Sequence, residues 1–157
     1  MEPTFSGCYT NKIDAKGRVS VPAPFRSKLA RPEFQGITAV QSAKWPMIEG
    51  SGPERTEALI RQLAEFPEES DEYEALQALF GEHTPIPADT EGRIILPQHL
   101  LAHANLTDVV LFAGGGTVFQ MWEPSAYEEY KVAMRERRRL GAGSLFKARS
   151  ALKGEAP

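Results

Sequence analysis

The sequence is short of the residues that most often carry chemistry, and each shortage excludes something. It has one cysteine, Cys8, so no disulfide forms within the chain and a disulfide-stapled secreted scaffold is excluded. Cys8 also lacks a neighbouring His and falls in an expected strand, which argues against a catalytic thiol. Of the three histidines, His99 and His103 stand four apart, as two zinc ligands on a helix do. Leu100 follows where a zinc protease motif has Glu, and no third ligand is evident. No apolar run approaches the roughly 20 residues that a membrane span needs. Met1-Glu2-Pro3-Thr4 has neither the basic nor the apolar character of a secretory leader. Gly114-Gly115-Gly116 lacks the Lys-Ser/Thr of a phosphate-cradling loop, so a hairpin turn is expected there. The carboxylates between 65 and 74 are dense, as on a solvated helix face, and do not form an acid–base pair. We therefore expect no enzyme, catalytic residue, metal, cofactor or small-molecule substrate, no membrane partner, and a soluble cytoplasmic protein.

What is present is ordinary in amount and uneven in place. At 157 residues, with 41% hydrophobic and 25% charged, the chain fits one domain or two tightly joined smaller units. Its formal net charge of −3 opposes indiscriminate polyanion binding, yet the charges are segregated. Residues 49–74 hold nine acids against Arg55 and Arg61, whereas residues 131–153 hold eight bases against Glu136. Lys12, Lys16 and Arg18 crowd around Asp14. Such a pattern bears on partners and not on fold.

The dominant signal is a repetition. Asp14-Ala15-Lys16-Gly17-Arg18 is followed by Val19-Ser20-Val21-Pro22, and Asp89-Thr90-Glu91-Gly92-Arg93 by Ile94-Ile95-Leu96-Pro97, at an offset of 75 (89 − 14). Phe5 aligns with Phe80 and Phe25 with Leu100 in the same register. Such a match points to two copies of one small unit. The expected divisions are a first repeat over 5–52, an acidic helical connector over 53–79, a second repeat over 80–124, and a C-terminal helix and basic tail over 125–157.

Each copy reads as strand–turn–strand, short helix, strand–strand, helix. In the first, strands are expected over Phe5–Asn11, Val19–Val21, Ile37–Val40 and Trp45–Ile48, with a helix over Pro24–Leu29. Glu49-Gly50-Ser51-Gly52-Pro53 reads as a linker. Helices follow over Glu54–Phe66 and after Ser70, a fitting N-cap, with Tyr73, Leu76, Leu79 and Phe80 as a buried stripe. In the second copy the strands are Glu82–Ile86, Ile94–Leu96, Val109–Ala113 and Thr117–Trp122, with helices over Pro97–Ala104 and Ser125–Arg139 and a fraying or weakly helical end beyond Gly143. Neither copy buries both faces alone; together, with strands exchanged, they make a closed barrel-like core. The expected class is α+β, mainly β with short helices.

The turn itself has a physical logic. Asp14 and Asp89 accept hydrogen bonds from amides two or three residues on, and Gly17 and Gly92 supply the left-handed backbone. Arg18 and Arg93 then begin a strand beside their Asp. Pairing that merely locks the turn is one use of these residues. The other is recognition: Lys12, Lys16 and Arg18 project from one hairpin, and a two-stranded ribbon fits a DNA major groove.

The duplicated motif, together with Phe5-x-Gly7 and the late Trp122-Glu123 before a Tyr-bearing helix, resembles the bacterial MraZ family, two-copy relatives of the AbrB/SpoVT regulators. The resemblance covers roughly residues 5–135. It implies a pseudo-two-fold double swapped-hairpin β-barrel assembled into a ring, and a transcriptional regulator, here taken as a repressor. Such a regulator binds short direct repeats in double-stranded DNA upstream of the division and cell-wall gene cluster that contains its own gene. It would be nucleoid-associated. The family's DNA-contacting and turn-forming positions fall on Lys12, Lys16, Arg18 and Arg93, and on Asp14, Gly17, Asp89 and Gly92. Pro87 and Glu91 replace Lys12 and Lys16 in the second copy, so the first turn is expected to read DNA and the second to support the barrel and the ring. The competing expectation is a ring-forming protein-interaction scaffold for which DNA is secondary.

Overall fold

Which strand pairs with which is the part of the architecture that local sequence does not dictate. The computed structural model describes residues 2–152, with side chains through 141. Its elements are β1 (Cys8–Lys12), β2 (Arg18–Ser20), α1 (Ala23–Leu29), β3 (Gly36–Gln41), β4 (Ile48–Ser51), α2 (Pro53–Leu63) and α3 (Asp71–Glu82). There follow β5 (Thr84–Pro87), β6 (Arg93–Ile95), α4 (Gln98–Ala104), β7 (Val109–Gly114), β8 (Phe119–Trp122) and α5 (Pro124–Leu152). They form two compact units, residues 1–124 and residues 125–157.

In the first unit a six-stranded antiparallel sheet has the order β1-β7-β8-β4-β3-β5, and β2 pairs with β6 in a separate two-stranded sheet. The six-strand order is unchanged by exchanging β1 with β5, β7 with β3 and β8 with β4. Two expectations are corrected here. β1 and β2 do not form a hairpin across the Asp14 turn, because β1 bonds β7 and β2 bonds β6. Among the described residues there is also no closed barrel: Pro85 and Pro87 leave edge strand β5 poor in N–H donors with which to extend the sheet.

One core serves both sheets. Val19, Val21, Ile94 and Leu96 point inward from the two-stranded ribbon and join Ile37, Ile48, Phe112 and Met121 of the larger sheet. Phe5, Phe25 and Phe119 meet at its centre, with ring centroids 5.2–5.4 Å apart in edge or tilted contact. Phe25 and Leu100, aligned by the repeat, are each 1% exposed at the centres of α1 and α4.

The connecting segments differ from the expected boundaries for local reasons. Trp45 is in a turn and not a strand, because Ser42 Oγ accepts from the Lys44 and Trp45 amides. The expected linker is instead β4 running into α2, where Pro53 occupies the first turn. Ser70 caps α3, accepting from Tyr73 N at 3.1 Å. The stripe Tyr73, Leu76, Leu79, Phe80 is only half-buried, and α3 has no fully buried residue. Arg31 joins α2 through Glu54 and Glu57 at 3.2 and 3.4 Å.

The second unit is helix α5. Its backbone stays helical through the Gly141-Ala142-Gly143 segment to Leu152, the helical one of the two endings expected beyond Gly143. The side chains of Lys147, Arg149 and Lys153, part of the basic stretch, lie outside the described residues. No helix of the described residues is long and apolar enough to cross a membrane.

Candidate nucleic-acid interface

Each repeated turn is built by one carboxylate that satisfies three donors. Asp14 Oδ1 accepts from Lys16 N at 2.9 Å and Arg18 N at 2.8 Å, while Oδ2 accepts from Arg18 Nε at 2.7 Å. Asp89 repeats this with Glu91 N and Arg93 N, both at 2.9 Å, and with Arg93 Nε at 2.8 Å. Gly17 and Gly92 close the turns with φ of 81° and 79°, a conformation that a Cβ disfavours. The two turns are the same object in hydrogen bonds and in backbone.

These bonds favour the charged carboxylate. The Arg18 amide, followed by its guanidinium and the Lys16 amide, holds Asp14 below the ordinary carboxylate range. The Arg93 amide, its guanidinium and the Glu91 amide do the same for Asp89. A depressed folded-state value means that the contribution to turn order is complete above the unfolded Asp value of about 3.9, and is lost as pH falls through the lower folded value. Carbon-detected titration of the two carboxyl groups is therefore expected to give midpoints below about 3.9. A midpoint at or above that value in either turn would contradict the geometry.

The ribbon presents what the turns hold. Arg18 lies opposite Ile95 and Ser20 opposite Arg93, while Val19 and Ile94 form the central pair. Because side chains alternate across a strand, Arg18, Ser20, Arg93 and Ile95 share the outer face, and buried Val19 and Ile94 the inner one. Arg18 and Arg93 line one depression of about 270 Å³ with Asp89 and Ile95, and the charge of Asp14 acts on Arg93 across the ribbon. The exposed two-stranded element thus takes one strand from each copy. Ile95 is 57% exposed, an apolar side chain in the same outer face as the two guanidiniums.

Lys12 and Lys16 are exposed beside this face, Lys12 on β1 opposite Val109 and Lys16 in the first turn. They do not line the depression shared by the arginines. Sequence reasoning did not single out Ser20 and Ile95, although alternation in Arg-Val-Ser-Val and Arg-Ile-Ile-Leu marks both as facing the same way as the arginines. It also missed Asn11, whose Nδ2 donates to Ser20 O at 2.7 Å and ties β1 to the ribbon.

The two arginines differ in what remains for a ligand. Nε of each is used by its Asp. Among the described residues Arg18 pairs with one acid, Asp14, through Nε at 2.7 Å, whereas Arg93 pairs with Asp89 and also, through Nη2 at 3.3 Å, with Glu91 Oε2. An oriented guanidinium that is shared with a single acid suits contact with a base edge or a phosphate. Elsewhere, His103 Nε2 is 3.2 Å from Trp45 O, and no cluster of three His, Cys, Asp or Glu gathers among the described residues.

Comparison with known proteins gives the family. Residues 79–139 match the family model described as "MraZ protein, putative antitoxin-like". The protein named transcriptional regulator MraZ of Pelagibacter ubique is 40% identical over 144 residues, spanning 90% of this chain and 92% of that one. Proteins of the same name from Parvibaculum lavamentivorans and Gluconobacter oxydans are each 42% identical, over 85% and 89% of this chain and 84% and 88% of theirs. With the duplicated Asp-x-x-Gly-Arg turn in place and similarity along most of its length, the chain belongs to the MraZ family.

Proposed function

We propose that this chain is a sequence-specific DNA-binding transcriptional regulator that reads DNA with the outer face of the β2–β6 ribbon and its flanking turns. The observation that supports it is the convergence of two turn-locked arginines, Arg18 and Arg93, on one exposed two-stranded element. The names of the relatives support the regulatory part. In finer detail we read a cytoplasmic, nucleoid-associated repressor of its own division and cell-wall gene cluster. It engages short direct repeats as a ring of swapped-hairpin subunits, with repeats over 5–52 and 80–124 joined by 53–79 and followed by 125–157. A ring presents one ribbon per subunit, and avidity multiplies modest contacts wherever the site spacing fits. The alternative, a ring-forming interaction scaffold, draws on the acid-rich α3, which buries no residue fully.

A gel shift with the DNA upstream of the gene separates the two: no sequence-dependent shift at moderate salt favours the scaffold. Lys12 and Lys16 define the asymmetry. Changing both to Ala is expected to lower the slope of log affinity against log salt by about two units, one per lost phosphate contact. An unchanged slope removes the lysines from the interface. In the second turn, Glu91→Gln is expected to strengthen binding severalfold, because it releases Arg93 Nη2 and removes a negative charge.

A further inference from the structure

We infer that Arg26, which belongs to neither turn, is a positioning residue that clamps the second turn to the end of β2 and leaves the two turns mechanically unequal. The inference rests on the reading face proposed above. Arg26 sits in α1, next to buried Phe25, and its Nη1 donates to Val21 O at 2.5 Å. Val21 N in turn donates to Gly92 O at 3.3 Å. The stem of Arg26 closes the circuit against the Gly92 α-carbon: a Cβ there would stand 2.7 Å from Arg26 Cδ and 2.9 Å from Nε. Gly92 is glycine for its φ of +79°, and its missing Cβ leaves the space in which the Arg26 stem lies.

The circuit joins the two copies, since Val21 follows β2 and Gly92 precedes β6. Through it Arg26 sets where the Asp89 turn, and hence Arg93, lies relative to Arg18. Arg26 is half-buried in a hollow of about 630 Å³ with Glu33, Asp89 and Glu91, and among the described residues it forms no ion pair. Its anchor is the Val21 carbonyl and not a carboxylate.

The first turn has no such brace. The residue aligned with Arg26 is Leu101 (26 + 75), a half-buried apolar side chain packed on the core. A Cβ on Gly17 would meet only Ile95 Cγ2, at 3.9 Å. The second turn is thus held from behind, whereas the turn bearing Lys16 has room to settle on a phosphate. Arg26 gives the ribbon one turn braced from behind and one held only by its own Asp.

The test uses the full chain and the Arg26→Leu variant, which installs the residue of the twin. In NMR hydrogen exchange the amides of Glu91, Gly92 and Arg93 are expected to exchange about tenfold faster, as when one hydrogen bond from a charged donor is lost. Those of Lys16, Gly17 and Arg18 should stay within about twofold of wild type, because local opening is confined to the unbraced segment. Affinity for the upstream DNA should fall by about tenfold with the salt slope unchanged, since a positioning residue releases no counterions of its own. Arg26→Lys keeps the charge without the fork, and it should show the same selective exchange if Arg26→Leu does not fold. Equal exchange in both turns, or none in the second, overturns the clamp. A slope lower by about one unit makes Arg26 a direct phosphate contact instead. If the wild-type chain shifts no DNA, the proposed function fails while the exchange measurement still decides the clamp.

Discussion

Replacing Arg18 and Arg93 together by alanine is expected to abolish sequence-dependent DNA binding while the chain stays folded. Each arginine has its Nε committed to Asp14 or Asp89, so the guanidinium is aimed before any ligand arrives. Loss of one base-reading arginine costs about ten- to a hundredfold, and the two losses are coupled because both arginines line one depression on paired strands. The inner residues Val19 and Ile94 are untouched, and the thermal midpoint should move little. The single variants rank the turns. Arg18→Ala should cost more than Arg93→Ala, because Glu91 already occupies Arg93 Nη2. Arg18→Lys separates charge from geometry: lysine keeps the phosphate attraction but cannot accept orientation by Asp14 and still present a planar fork. A double variant that binds as the wild type does at moderate salt would remove the ribbon from the interface. Equal losses in the two single variants would remove the asymmetry.

The turn, with Asp accepting from the amide two residues on and Arg beside it, was legible in the sequence, whereas the bond to the amide four residues on and the ribbon were not. Asp, Gly and Arg at fixed spacing specify a local structure in which every bond closes within five residues, so composition and order suffice. Pairing of β2 with β6 joins residues 73 to 77 apart (93 − 20 to 95 − 18), and nothing in Arg-Val-Ser names Arg-Ile-Ile as its partner. A hairpin across the Asp14 turn is the nearest local solution, and it loses because exchange between copies puts both inner faces on one core. β4 shows the same limit in another form. Glu49-Gly50-Ser51 looks like a linker by glycine content, yet Gly50 is glycine because a Cβ there would stand 2.5 Å from the Phe119 ring. The Ser70 cap, by contrast, acts within its own first turn and was readable. Arg26 belongs with the ribbon: as a residue it is an ordinary helix cation, and only the fold brings Gly92 against its stem.

Phe25→Ala is expected to be the most destabilising single change among those considered, and Phe25→Leu among the most instructive. The Phe25 ring is 1% exposed and meets Phe5 at 5.4 Å, Tyr9 at 5.4 Å and Phe119 at 5.3 Å between centroids. Truncation to alanine leaves a cavity where α1, β1 and β8 converge, at a cost of about 3–5 kcal/mol. Against a typical domain stability of about 5–15 kcal/mol, that is enough to leave a large unfolded fraction at moderate urea. Leucine is the residue that the second copy carries at this place: Leu100 is also 1% exposed. If the copies are equivalent in packing and differ only in how they fill it, Phe25→Leu should cost much less, within about 1–3 kcal/mol. The difference in urea midpoint between the two variants reads this directly. Should leucine be as costly as alanine, the Phe25 site is shaped by its aromatic neighbours and not by the repeat. The loss should also reach the reading face, since Phe25 and Arg26 are adjacent in α1. Phe25→Leu is then expected to loosen the Gly92 turn in hydrogen exchange before it loosens the Gly17 turn, which no residue of α1 braces.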